Sequence, residues 1–148
     1  MKKIGDYTIR GQMQVENTFN KIQLFDGRFD TAYRVIHFEI APYDTKTAGN
    51  DVAAKLCTED TALADGALWN WDDDREIAWA GSENRVSFSP VLARSIIDPE
   101  NLIVEDLFIS YGHPSTDSPV NYLIVLEKYD ISEFKGVLAM IKNNGQSF

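Results

Sequence analysis

Apolar and polar residues alternate with period two along most of this chain, as an extended strand with one buried face requires. Over residues 7–15, Tyr7, Ile9, Met13 and Val15 share a face with Gly11 among them, and Thr8, Arg10, Gln12 and Gln14 take the other. That pattern predicts a half-buried strand. A shorter strand is expected over 22–25, stopped by Asp26-Gly27, a dipeptide that tolerates the positive φ of a tight turn. The run YRVIHFEIAP sets Ile36, Phe38 and Ile40 against Val35, His37 and Glu39 and is closed by Pro42. Over 52–58, Val52, Ala54 and Leu56 alternate with Ala53, Lys55 and Cys57. Further strands are expected at 76–80, at 85–89 through Val86 and Phe88, and over 102–111 and 120–129, the last two separated by the turn-rich GHPSTDSP. About eight or nine short strands divided by turn signals predict a mostly β protein, an antiparallel β-sandwich of jelly-roll kind. No internal repeat, low-complexity tract or linker divides the chain, so one domain over 1–148 is expected.

One segment departs from period two. In DISEFKGVLAMIKNNG, Phe134, Val137, Leu138 and Ile141 recur at helical spacing, Asp130 and Glu133 make an aspartate version of the capping box, and Asn144-Gly145 supplies a stop. A C-terminal α-helix over 131–143 is predicted. Its single apolar stripe must lie against the sandwich or against a neighbouring subunit, since a helix this short is not stable alone. Phe134, Leu138 and Ile141, with the terminal Phe148, are therefore candidate assembly contacts.

Charge and cysteine usage narrow the partners. The net charge is −9, and the 14 Lys and Arg residues are scattered, with Lys2-Lys3 the one adjacent pair. A phosphate backbone needs clustered cations, so no nucleic-acid partner is expected. No apolar run has signal-peptide or membrane-span length, so synthesis in a cytoplasm without a signal peptide, and no membrane partner, are expected. Cys57 is the single cysteine; it excludes an intrachain disulfide and reads as a small buried hydrophobe.

The stretch WNWDDDREIAW gathers the candidate chemistry. Trp69 and Trp71, two apart, would share a face on an extended backbone and stack on pyranose rings while Asp72, Asp73 and Asp74 bridge hydroxyls. These five residues are candidate glycan or partner contacts. The alternative makes Trp69 and Trp71 plugs at one end of the core, Trp79 part of a strand with Ile77, and the aspartates a solvated turn. Counted as a calcium loop from Asp72, the stretch places Ile77 and Ala78 where glycine and an oxygen ligand belong. Two histidines, His37 and His113, cannot make a three-histidine zinc site, and phosphate-binding glycine loops are absent. A dyad of Cys57 with His37 lacks any accompanying oxyanion loop. No catalytic residue, metal or cofactor is expected.

The segments IQLFDGRFDTAYRVIHFEIAP (22–42), DPENLIVEDLFISY (98–111) and NYLIVLEKYDISEFKGVLAMIKN (121–143) resemble small virion structural proteins of marine tailed bacteriophages. The resemblance implies a particle component, a capsid decoration or another head or tail subunit without enzyme activity. Its partners would be copies of itself, with a trimer about a local threefold expected, and other virion proteins. A carbohydrate-binding, adhesin-like module that takes a host glycan is the alternative.

Overall fold

The computed structural model of the chain describes residues 2–83, 92–112 and 119–132. Among these are eight strands: β1 (Lys2–Met13), β2 (Asn20–Ile22), β3 (Thr31–Pro42), β4 (Val52–Cys57), β5 (Glu76–Glu83), β6 (Leu92–Ile97), β7 (Leu107–Gly112) and β8 (Val120–Asp130). They form two antiparallel sheets with the orders β1-β8-β3 and β2-β7-β4-β5-β6. The chain is mostly β and sandwich-like, as the alternation predicts. The first strand pairs with the last, the second with the seventh and the fourth with the fifth.

The inner faces meet in one core. Phe38, Ile40, Ile124 and Leu126 enter it from the smaller sheet, and Val52, Ala54, Leu56, Ile109 and Tyr111 from the larger. Each fully buried large apolar side chain contributes about 1.5–3 kcal/mol relative to exposure. Asp26-Gly27 does form a turn, with Gly27 at φ +87° and the Arg28 amide donating to the Asp26 carboxylate at 3.0 Å.

β3 shows where strict alternation misleads. The sequence sets Val35 opposite in face to Phe38 and Ile40 and places Ile36 with them, yet Val35 is buried and Ile36 is 44% exposed. A bulge between Val35 and His37 is the cause: Val35 faces Leu126 and His37 faces Val125, so Ile36 is an extra residue and the inward parity flips there. Asn101 holds the bulge. Its Oδ1 accepts from the Val35 amide at 2.8 Å and its Nδ2 donates to the Val35 carbonyl at 3.0 Å. Beside it, Tyr33 and Ile103 exchange backbone hydrogen bonds of 2.7 and 2.8 Å, and Ser95 Oγ donates to the Phe38 carbonyl. The outer edge of β3 is thereby closed.

Other boundaries move for local reasons. The expected strand over 102–111 is regular only in β7, because the Asp106 carboxylate accepts the amides of Leu24 and Phe25 at 2.8 and 2.9 Å. The same bonds end β2 at Ile22, short of the predicted 22–25. β6 has no clean alternation in LARSII and was not expected, while the predicted strand over 85–89 lies outside the described residues. No helix occurs among the described residues. Of the predicted helix only Ile131 and Ser132 are described: Ile131 is buried, and the Ser132 amide donates to Asp130 at 2.9 Å. Phe134, Leu138, Ile141 and Phe148 lie outside the described residues.

β1 begins earlier than predicted, at Lys2, and ends at Met13, leaving Val15 exposed. Its register on β8 is continuous from Gly5 to Met13, with a bulge between Lys3 and Gly5. Most of its side chains stay exposed, and Met13 alone is buried. Among the described residues nothing pairs with its outer edge.

Candidate functional site

The tryptophan region is built on the outward face of the larger sheet. In β4, Val52, Ala54 and Leu56 enter the core, which turns Lys55 outward, opposite Trp79 on β5 and Ser110 on β7. The loop over 58–75 folds across this face and buries it. Lys55 Nζ lies 2.9 Å from Glu76 Oε2 and donates to the Leu68 carbonyl at 3.0 Å, and both charged side chains are fully buried. The other Glu76 oxygen accepts from Trp79 Nε1 at 2.9 Å and from the Asn70 amide at 2.8 Å. A buried ion pair is tolerable when its remaining lone pairs and protons find partners, and here the loop backbone and an indole supply them. Ser110 Oγ donates to the Ala64 carbonyl. Gly66 sits so close to the backbone of Ser110 and Tyr111 that a Cβ has no room.

The loop separates the residues expected to act together. Residues 66–75 run through successive turns, so the period-two argument that put Trp69 and Trp71 on one face does not apply. Trp71 is 63% exposed and leans on Trp79, ring centres 5.8 Å apart and tilted by 59°. It borders a recess of about 280 Å³ with Asp74, Ile96 and Pro99. Trp69 is half-buried, donates its Nε1–H to the Gly66 carbonyl at 3.1 Å, and lines a different cavity of about 640 Å³. The two indoles therefore form no common platform. Nor do they plug an end of the core, since they lie over the outer face of a sheet.

Asp73 is the aspartate that leaves the water. It is buried, and its carboxylate receives the Arg75 Nε and Nη2 at 2.8 and 2.7 Å as well as the Arg75 amide at 3.0 Å. Its backbone carbonyl accepts from the Glu76 amide at 3.0 Å, which ties the turn to the ion pair. Asp72 and Asp74 remain exposed, as a solvated turn requires. The solvated reading of Asp73 is thus corrected. Charge-assisted bonds of this kind are worth about 1.5–3 kcal/mol, so Asp73→Ala should cost about 1–3 kcal/mol in urea unfolding rather than nothing. Arg75 holds the Asp73 carboxyl below its ordinary 3.8. A carboxylate lowered on folding stabilises fully above its unfolded pKa and loses that contribution as pH falls through the folded value. Asp73→Ala should therefore also flatten the loss of stability below pH 3.8.

The larger cavity is floored by small outward residues, Ala53, Gly81 and Gly112, and walled by Trp69, Asp65 and Arg94. Glu16, Asn17, Asp51 and Glu83 also border it, so its charged groups are mostly carboxylates, with Arg94 among them. Cys57 lies buried under the loop, where desolvation pushes its thiol up to about 12. His37 is half-exposed on the outer face of the other sheet, 3.2 Å from Glu39. The sandwich lies between that imidazole and the thiol, so they make no dyad. Among the described residues no three metal-ligating side chains converge.

Neither a family model, a curated protein nor a solved structure matches this chain. The site residues that sequence reasoning missed are Lys55, Glu76 and Arg75. A lysine at the outward position of an otherwise apolar strand, VAAKLC, was the signal available for Lys55.

Proposed function

We propose that this protein is a non-enzymatic structural subunit of a tailed-phage virion that acts by self-association and by docking on the capsid or another particle component. One observation carries the reading: β1, 12 residues long, offers an exposed strand edge that no described residue pairs. Such an edge is a row of backbone donors and acceptors ready for another chain. The segments resembling virion proteins supply the kind of particle, and location in the virion after synthesis in the host cytoplasm goes with it. The strand order supports a jelly roll. Pairs 1-8, 2-7 and 4-5 are those of one long hairpin rolled on itself, with β6 paired to β5 and joined to β3 through the Ser95 side chain and not through a backbone ladder. Jelly rolls recur in capsid and lectin domains. Repetition on a particle makes weak single contacts strong through effective concentration. Light scattering, with co-sedimentation on particles stripped of the subunit, tests this. Self-association or capture by the particles is expected, and a chain that stays monomeric when concentrated and ignores the particles overturns it.

A second reading, a carbohydrate-binding adhesin-like module, is favoured by the cavity at Trp69. An indole beside carboxylates and an arginine over a floor of small residues suits a pyranose. Here the contacts would be Trp69 and Asp65 rather than Trp71 and Asp72 to Asp74. Trp69→Ala should abolish retention on any glycan column that holds the parent chain, and equal retention of both eliminates the reading.

A further inference from the structure

We propose that two copies of this chain join through the outer edges of β1, antiparallel about a two-fold axis at Thr8. The inference rests on the self-association argued above and specifies its surface, register and symmetry, a pair rather than a threefold.

The opposite edge of the same sheet is closed by Asn101, Ile103 and Ser95, so a second copy extending this sheet meets β1. The usable stretch is 5–11. It is continuous on β8 and is bounded on one side by the bulge at Lys3 and Gly5, which bends the edge away and, with Lys2 and Lys3, discourages pairing beyond it.

Facing residues of an antiparallel pair lie on the same side of the sheet, so a strand pairing with its own copy must place a residue on the axis. Three centres keep most of 5–11 paired. With Tyr7 on the axis, Asp6 opposes Thr8 and Arg10 runs past Gly5 to the bulge. With Ile9 on the axis, Arg10 opposes Thr8 and Asp6 opposes Gln12. With Thr8 on the axis, Asp6 opposes Arg10 twice, Tyr7 opposes Ile9 twice and Gly5 opposes Gly11 twice. This register alone makes both charges complementary.

The side chains concerned are available. Asp6 is 61% exposed, with Lys3 at 2.9 Å, and Lys3 retains Glu127 at 2.8 Å if Asp6 turns to an arginine. Arg10 is exposed. Tyr7 is 48% exposed, and Ile9, half-buried against the core, is the apolar neighbour its ring would gain. Cross-strand pairs of both kinds stabilise a sheet, and like charges placed opposite destabilise it.

Sedimentation equilibrium on the whole chain, the variants Asp6→Arg and Arg10→Asp, and their equimolar mixture tests the register. The parent should be dimeric, and each variant should dimerise roughly tenfold or more weakly, because its two-fold pair sets like charges against each other. The mixture should recover parent-like dimers with one copy of each, since every facing pair is then complementary. Unfolded chains cannot produce that recovery. Variants that dimerise as the parent does, or a mixture no stronger than its components, overturn the register while leaving self-association through another surface standing. A parent that is monomeric throughout also overturns it, and the particle test above then decides the broader function by itself.

Discussion

Lys55→Met should destabilise the fold by about 3–5 kcal/mol, the cost of removing one partner from a buried ion pair. Methionine fills the space of the lysine stem but leaves the Glu76 carboxylate buried without a counter-charge and the Leu68 carbonyl without its donor. The loss comes from the stranded charge more than from the pair, and that has a measurable corollary. Lys55→Met combined with Glu76→Gln should recover a large part of the stability, because replacing both ions by neutral groups is often close to neutral. Urea unfolding midpoints at constant m-value check both statements. A single variant within about 1 kcal/mol of the parent would mean that water reaches the pair when the loop over 58–75 opens.

Trp79→Ala should cost a similar amount, about 3–5 kcal/mol, the range for truncating a large buried aromatic. Two further losses accompany the cavity: Glu76 gives up the indole donor at 2.9 Å, and the exposed Trp71 loses the ring it leans on. Trp71 emission should therefore shift toward that of a fully solvated indole in the still-folded variant. Because Trp79 and Lys55 bind the same carboxylate, the two substitutions should not be additive, with a coupling of about 0.5–3 kcal/mol in a double-mutant cycle. A near-neutral Trp79→Ala would place the stability of this face in the loop backbone instead.

Strand positions were legible wherever alternating apolar residues set one face on the core. β4 and β8 lie close to their expected bounds because each packs one apolar face on the core without interruption. In β3 the strand was legible and its facing was not, since one inserted residue at Ile36 inverts the parity and nothing in YRVIHFEIAP marks it. Asn101 accounts for that inversion from more than sixty residues away, a distance no local pattern spans. The candidate site was legible only in composition. Tryptophans beside aspartates drew attention to 69–74, yet the pairings that organise the region are Lys55 with Glu76 and Asp73 with Arg75. Sequence spacing treats lysine and aspartate as solvated by default, and it is the overlying loop that reverses this. The same loop sends Trp69 and Trp71 into separate hollows.

The pairing of β1 with β8 joins residues 2–13 to residues 120–130. During synthesis the ribbon over residues 2–13 has no native neighbour in its own sheet until residues 120–130 have emerged from the ribosome. Contacts of such long sequence separation form slowly. The interval between emergence of the first strand and arrival of the eighth is thus when chaperones, or a neighbouring nascent chain, have their best opportunity to hold it.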